Sequence, residues 1–489
     1  MSQRFAGGLA WNIAGGVMRA LSQFIGGAVL ARILGPEPFG VMAVGWIMVQ
    51  YARLIDPGMG AALVKHADPD RDDLRFATTM QVTVSVLLAV VLAACAGPCA
   101  KALGDPAAAP VIRALAILLP LGSFTQVSTA LLERGMRFST IQMGNLIPYL
   151  IGLAVGVPLA IDGAGAWSLV AVVVVQALGT AIWLYVATRH PLAPKWHHPN
   201  GRGMLGFGVH ASGAALANSI ATTADQVAVS HVAGLAELGQ YNRAGGLLMA
   251  PMLTLTNALA VWIFPIFART ADPAVRRRQF LAVVPAAAGL TAIPFAVAAG
   301  GADAVVSAVY GPGWGLAAAV VQPIALTMPA LTLITFASTL LWSADRVALD
   351  HRLQWLSTAA IVIGVAIAAG TGGGPLAIAW TVMGIAWLRA LLLLSAAARV
   401  AGCGLWTVCR TLLAVGPLAV ICGIAAHGIE RLGMAEGISA WPLMAPLAGL
   451  MLSGCAFAWW LSCRSGVAGE LRDVIATWRR AARNQQSQE

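Results

Sequence analysis

Five charged side chains lie inside stretches of this sequence that are otherwise long and apolar: Arg19, Arg53, Arg389, Asp56 and Asp225. An ionisable group at membrane depth is costly unless it faces protein or water. A guanidinium keeps its positive charge and donates two parallel hydrogen bonds, which suits a phosphate group. The pattern therefore predicts a water-filled cavity whose arginines receive an anionic group, with snorkelling to the interface as the alternative for Arg389.

The aspartates leave two interpretations open. Asp56 follows Arg53 by three residues, a spacing that suits either a structural ion pair or a coupling group beside the cavity. Asp225 is either a carboxylate that binds a coupling proton or sodium ion, or a partner for Arg243 at a helix end. We therefore treat all three as candidates for coupling or ion pairing.

Fourteen hydrophobic segments must position these residues. A helix needs roughly 20 apolar residues to cross the hydrocarbon core of a bilayer. The candidate spans are 8–32, 40–64, 77–98, 110–132, 139–161, 164–188, 205–231, 241–267, 280–301, 316–342, 353–370, 375–398, 411–428 and 441–462. Because 59% of the residues are hydrophobic and only 10% are charged, little chain is left for a soluble domain. The sequence predicts an all-α integral membrane protein with about fourteen transmembrane helices.

Lys and Arg are distributed very unevenly between the two sides of these spans. With a cytoplasmic N-terminus, 22 of the 30 basic residues fall on the inner side and five on the outer side. This positive-inside bias predicts a multi-pass protein with both termini in the cytoplasm. The excess of 27 Arg over 3 Lys is typical of a high-GC bacterium and predicts the inner membrane as its location. The net charge of +10 then arises mostly from the basic residues of the inner loops, which orient the protein in the membrane. It gives no reason to expect nucleic acid as a partner.

An internal repeat divides the chain. An offset of 199 residues aligns Gly35 with Gly234 and Gly40 with Gly239. Two six-helix halves in the same orientation are expected to be parallel repeats around a central cavity. The predicted organisation is an N-terminal lobe at 1–190, a cytoplasmic linker at 191–204, a C-terminal lobe at 205–400, an additional helix pair at 401–463 and an amphipathic basic tail at 464–489.

Catalytic and cofactor motifs are lacking. The Gly-x-Gly-x-x-Gly pattern at 201–206 opens a membrane helix and has no strand before it, so it does not predict a dinucleotide site. No catalytic triad, carboxylate pair or metal-ligand spacing is legible. We expect no catalytic residue, metal or cofactor.

Five short motifs occur in order along these spans: LARILGPEPFG at 30–40, DPGMGAALV at 56–64, RGMRF at 134–138, LGQYNRA at 238–244 and YGPGW at 310–314. Together they resemble the polysaccharide exporters of the multidrug/oligosaccharidyl-lipid/polysaccharide superfamily, in its Wzx-type flippase branch.

The resemblance implies a two-lobed helical fold and alternating access. It implies movement of a polyprenyl-diphosphate-linked oligosaccharide to the outer leaflet, for surface polysaccharide biosynthesis. Arg19 and Arg53, together with Arg389, are then expected to bind the diphosphate. Membrane lipids, and the polysaccharide polymerase machinery as a further candidate, are the expected partners.

Two other functions are compatible with parts of the pattern. A cation-coupled multidrug antiporter of the same superfamily would share the fold but is expected to have more carboxylates and fewer arginines within its spans. A membrane polysaccharide polymerase or glycosyltransferase is expected to have acidic residues in a large outer loop, whereas the outer loops here are short.

Overall fold

The computed structural model describes residues 2–54, 70–196, 201–269, 272–413 and 415–464. For residues 2–13, 201–215, 217, 257–269 and 459–464 it describes the backbone but not the side chains. The regular structure of these residues is helical, without a β-strand among them. A membrane environment explains why these segments are helical. No water is present in the hydrocarbon core, and a helix satisfies its backbone hydrogen bonds within one segment.

In chain order the helices are α1 (Ser2–Leu34), α2 (Pro36–Arg53), α3 (Arg71–Ala102), α4 (Ala109–Leu115), α5 (Leu118–Arg134), α6 (Phe138–Ile161), α7 (Ala166–Thr188), α8 (Gly201–Val232), α9 (Leu235–Arg269), α10 (Pro273–Gly300), α11 (Ala302–Tyr310), α12 (Gly315–Ser343), α13 (Val347–Gly370), α14 (Gly374–Val400), α15 (Leu405–Leu412), α16 (Gly416–Ala435) and α17 (Ala440–Arg464). A 3-10 turn at Pro106–Ala108 precedes α4.

Eleven helical segments of the described residues are long and apolar enough to cross a membrane. The all-helical, multi-pass prediction is therefore confirmed. The three other predicted spans, 40–64, 205–231 and 241–267, overlap α2, α8 and α9, and each extends into residues or side chains that are not described. The count of fourteen stays a prediction.

The chain forms two compact units, residues 1–242 and 243–489. In the first unit, glycines let helices approach closely. A Cβ atom at Gly152 of α6 would lie 2.5 Å from the carbonyl oxygen of Val172 on α7. A Cβ atom at Gly15 of α1 would lie 2.6 Å from the Cβ of Gln142 on α6. Small residues at such crossings are the usual basis of helix packing in lipid.

The turns before α2 and α9 are equivalent, as their sequence alignment suggests. Gly35 and Gly234 both have positive φ angles, of 71° and 95°, which a residue with a side chain rarely adopts. Each glycine N–H also donates to the carbonyl oxygen four residues earlier, on Ala31 and Ser230, at 3.2 Å in both turns.

Just beyond these turns, α2 and the start of α9 cross with their backbones in contact. A Cβ atom at Gly40 would overlap the carbonyl oxygen of Leu235, and one at Gly239 would overlap that of Pro36. The contact is reciprocal, because Leu235 and Pro36 are themselves related by the 199-residue offset. Glycine at both positions therefore permits the crossing.

The start of the predicted linker is attached to the first unit. Lys195 Nζ lies 2.5 Å from a carboxylate oxygen of Asp72 near the start of α3, and Arg75 Nε donates to the carbonyl oxygen of Ala193 at 3.0 Å. His190 is buried between the rings of Phe124 and Tyr185, and this burial lowers the pKa of its imidazole. Residues 190–196 are therefore packed on the first unit.

In the second unit, a core of buried apolar side chains joins α10, α12 and α14. The additional helix pair, α16 and α17, packs on α10, and a Cβ atom at Gly300 would overlap the carbonyl oxygen of Gly423. The buried carboxylate of Glu430 on α16 accepts a hydrogen bond from the Ala304 N–H at 2.7 Å, which caps α11 from another helix. The predicted lobe boundaries stay a prediction, and residues 465–489 of the predicted tail lie outside the described part of the chain.

The crossing of α2 and α9 gives the first prediction. Gly239→Ala should destabilise the protein by about 1–3 kcal/mol, because the added methyl group overlaps a backbone oxygen that cannot move alone. Gly246→Ala, on the same helix with no atom near its Cβ position, is the matched control and should be neutral or stabilising. Melting temperatures of the purified variants in detergent measure both. Equal melting temperatures for the two variants would contradict the crossing.

Candidate functional site

Arg19 is a cation without a protein partner in the described part of the chain. It lies on α1 between Gly15 and Gly26, the two glycines at which α1 packs against α6. Its side chain is half-buried and makes no hydrogen bond or ion pair with another described residue. Within the predicted span, the guanidinium requires water or an anion.

Arg53 has a different environment at the end of α2. Its Nη2 donates to the carbonyl oxygen of Leu118 at 3.4 Å, in the first turn of α5. A Cβ atom at Gly122 would lie 2.8 Å from the same nitrogen, so the guanidinium packs over a glycine. The residue is otherwise exposed. Arg53 therefore links α2 to α5 while part of its side chain remains accessible to a ligand.

Arg389 belongs to a polar cluster of the second unit. It is half-buried on α14, and the carboxylate of Asp350 on α13 acts on it electrostatically. Asp350 is buried and accepts hydrogen bonds from Ser338 Oγ at 2.8 Å and from Trp342 Nε1 at 2.7 Å. Asp350 was not among the predicted site residues, because it precedes the predicted span 353–370 in the sequence. The two hydrogen bonds of Asp350 join α12 to α13, and Arg389 lies near this carboxylate without an ion pair between them among the described residues.

Asp225 receives its described hydrogen bonds from two neighbours. Tyr241 on α9 donates its hydroxyl proton to Asp225 Oδ2 at 2.8 Å, and the Gln226 N–H donates to Oδ1 at 2.8 Å. A second bridge, from Asn242 Nδ2 to Gln226 Oε1 at 3.1 Å, joins the same two helices. Asp225 is therefore part of the α8–α9 hairpin, and its role as a coupling group stays a prediction.

Of the two remaining predicted residues, the structure describes Arg243 but not Asp56. Asp56 lies outside the described residues. Arg243 begins the second unit, and its backbone carbonyl accepts a hydrogen bond from the Tyr310 hydroxyl at 3.1 Å. In the described ranges, no group of three or more His, Cys, Asp or Glu side chains could hold a metal ion.

A polar contact between α2 and α8 was also missed. Gln50 Nε2 donates to Ser219 Oγ at 3.3 Å, and the hydroxyls of Tyr51 and Thr223 are 2.6 Å apart. The available signal was the run NSIATTADQ at 218–226, which is unusually polar for the middle of a span. Of this run, only the charged Asp225 was a predicted site residue.

The sequence matches the model of a family described as "Polysaccharide biosynthesis protein" over residues 29–319. It is 29% identical over 262 residues to the succinoglycan biosynthesis transport protein ExoT of Rhizobium meliloti (strain 1021), a match that covers 53% of each chain. It is 22% identical over 393 residues to the teichuronic acid biosynthesis protein TuaB of Bacillus subtilis (strain 168), covering 78% of this chain and 79% of that protein. The first match thus spans about half the length of the relative.

Two solved structures have a similar fold. The lipid II flippase MurJ in an inward closed conformation has a TM-score of 0.66 at 11% identity and covers 94% of this chain and 99% of its own. An inward-facing multidrug resistance MATE transporter of the MOP superfamily has a TM-score of 0.59 at 13% identity, covering 79% of this chain and 98% of its own. At these identities the likeness shows a shared fold.

The hydrogen bond between Tyr241 and Asp225 gives the second prediction. Tyr241→Phe should destabilise the protein by about 1.5–3 kcal/mol, because the half-buried carboxylate of Asp225 loses its hydroxyl donor. Tyr185→Phe removes a hydroxyl that has no described partner and keeps the ring contacts, so it serves as the control. Thermal unfolding in detergent compares the two. A melting temperature of Tyr241→Phe equal to that of the control would show that the bond contributes nothing.

Proposed function

Because the chain belongs to the polysaccharide biosynthesis protein family, whose pattern covers residues 29–319, we propose that it flips polyprenyl-diphosphate-linked oligosaccharide repeat units across the bacterial inner membrane. The units would then serve surface polysaccharide biosynthesis on the outer face. Transport is supported by the similarity to a succinoglycan biosynthesis transport protein, and the architecture by the fold shared with a lipid II flippase. In this proposal the protein is a transporter and performs no covalent chemistry.

Arg19 is the observation that carries the proposal. A half-buried guanidinium inside a predicted span, with no described protein partner, has the charge and the donors that a diphosphate requires. Arg53 is a second candidate ligand, since it is an exposed guanidinium at the end of α2. Arg389 is a weaker candidate, because Asp350 already compensates part of its charge.

The proposed architecture retains fourteen transmembrane helices. Two parallel lobes of six helices, at 1–190 and 205–400, would enclose the cavity, and the pair at 401–463 would stand outside the repeat. The linker at 191–204 and the basic tail at 464–489 would both be cytoplasmic, in keeping with the distribution of Lys and Arg. Equivalent turns at Gly35 and Gly234 support the repeat.

Alternating access would move the anionic headgroup while its polyprenyl tail stays in lipid. A membrane potential that is negative inside contributes about 2.3 kcal/mol per charge per 100 mV and favours outward movement of an anion. Protonation or sodium binding at Asp56 or Asp225 would be an additional source of coupling. The polysaccharide polymerase machinery would receive the units on the outer face.

A cation-coupled multidrug antiporter is the second candidate, favoured by the fold shared with the MATE transporter. Such a protein needs carboxylates that are free to bind a cation. The charged residues deep within the predicted spans of this chain are instead three arginines, Arg19, Arg53 and Arg389, against two aspartates, Asp56 and Asp225, a balance that favours an anionic substrate. The flippase is therefore the better supported function.

Replacement of Arg19 tests the proposed site. Arg19→Ala should lower the export of surface polysaccharide by about 10- to 100-fold, since a charged hydrogen-bonding group contributes roughly 1.5–3 kcal/mol. Arg19→Lys should recover part of the export, because it restores the charge without the planar fork. Polymer is measured in a deletion strain that carries each variant, at matched protein levels in the membrane.

Arg431→Ala is the control for this experiment. It also removes a guanidinium, but from an exposed residue at the end of α16 with no described partner. Its export should equal that of the wild type. Full export by Arg19→Ala would overturn the site.

Deletion of the gene tests the function itself. Lipid-linked repeat units should accumulate at the cytoplasmic face while surface polysaccharide is lost. If polymer is unchanged and tolerance to cationic drugs falls, the antiporter is the correct function.

A further inference from the structure

Helix α8 has two polar faces at the middle of its predicted span. Residues four apart lie on the same face of a helix. Ser219 and Thr223 form the first face, are 6% and 2% exposed, and bond to α2. Asn218, Thr222 and Gln226 follow at the same spacing on the neighbouring face, where Asn218 and Thr222 are exposed. The hydrogen bonds to α2 account for the first face only.

The exposed face lies too deep to be explained by an interface. At 1.5 Å per residue, Asn218 is roughly 26 Å from the first residue of α8 and roughly 21 Å from the last. A primary amide exposed to hydrocarbon at that depth would lose its hydrogen bonds to water without replacement, at a cost of a few kcal/mol. Asn218, and Thr222 one turn further along the same face, are therefore expected to border water or a polar ligand.

The side chains of this face are partly positioned. Gln226 Nε2 donates to the carbonyl oxygen of Thr222 at 3.3 Å, while its Oε1 accepts a hydrogen bond from Asn242 Nδ2 at 3.1 Å. The Thr222 hydroxyl donates to the carbonyl oxygen of Asn218 at 3.0 Å, which leaves its lone pairs free to accept. The Asn218 amide bonds to no described residue and offers two donors and an acceptor.

The chemistry of this face selects a class of ligand. Amides and hydroxyls that carry no charge and both donate and accept hydrogen bonds match a neutral group rich in hydroxyls. An isolated anion would prefer Arg19, and a cation would require a carboxylate, whereas Asp225 on this helix is bonded to Tyr241. A sugar ring presents such hydroxyls.

We propose that Asn218, Thr222 and Gln226 form a recognition surface for sugar hydroxyls of the translocated headgroup and thereby contribute to the choice of glycan. This inference rests on the proposed function, because it assumes a glycan-bearing substrate. A site that hydrogen-bonds hydroxyls discriminates against ligands that lack them, because its own polar groups are then left without partners.

Binding of two lipids tests this surface. One probe is the lipid-linked oligosaccharide extracted from the deletion strain, and the other is undecaprenyl diphosphate, which bears no sugar. Asn218→Leu and Thr222→Val should each lower the ratio of glycan-lipid affinity to bare-lipid affinity by about 2- to 10-fold, the value of one hydrogen bond. Affinities are measured with purified full-length protein in detergent.

Thr254→Val is the matched control. Thr254 is also exposed and bonds to the carbonyl oxygen four residues earlier, but it lies on α9. Its affinity ratio should equal that of the wild type. If Asn218→Leu and Thr222→Val keep the wild-type ratio of affinities, or weaken the binding of both lipids by the same factor, the surface does not recognise the glycan.

The same experiment separates failure of this surface from failure of the proposed function. A deletion strain that accumulates no lipid-linked oligosaccharide, or a wild type that binds neither lipid, would overturn the flippase and the surface together. Equal ratios in a wild type that does bind the glycan lipid would overturn the surface alone. Arg19→Ala should weaken both lipids, because they share the diphosphate.

Discussion

The close approach of α2 and α9 at two glycines is the constraint that places the α8–α9 hairpin within the first unit. With no Cβ atom at Gly40 or Gly239, each helix reaches the other's backbone. Helix α8 precedes α9 across a short turn, so the crossing also brings α8 beside α2. The hydrogen bonds of Gln50 and Tyr51 to α8 follow from this placement. In lipid, where apolar side chains gain little by meeting one another, such packing and hydrogen bonding hold helices together.

Within this lipid environment, the charged residues differ in the interactions that they make with the rest of the protein. Arg389 has the carboxylate of Asp350 in its vicinity, and Asp225 accepts a hydrogen bond from Tyr241. Arg53 donates to the backbone carbonyl of Leu118. Arg19 makes no hydrogen bond or ion pair with a described residue, which is why it is the proposed ligand of the anionic group. A cationic centre on α1 and a neutral polar face on α8 would together suit a headgroup that carries both phosphate and sugars.

The helical fold was predictable from the sequence, because spans of roughly 20 apolar residues admit few structures other than helices in a membrane. The glycine turns before α2 and α9 were predictable too, since the 199-residue offset aligns them. Asp350 and the polar face of α8 were not. Both were single polar residues or short runs within apolar segments, and their partners lie on other helices at distant positions in the chain.

The sequence by itself determined which segments are helical and which charges lie within them, because hydropathy and the cost of burying charge act locally along the chain. Only the tertiary structure decided which of those charges have partners. Pairing depends on which helices are neighbours and on how each helix is rotated about its axis. Small residues such as Gly40 and Gly239 influence both, because they allow contacts between helices that are far apart in the sequence. Arg19 and Arg389 look alike in the sequence. They differ because a carboxylate from α13 acts on Arg389 and none from the described residues pairs with Arg19.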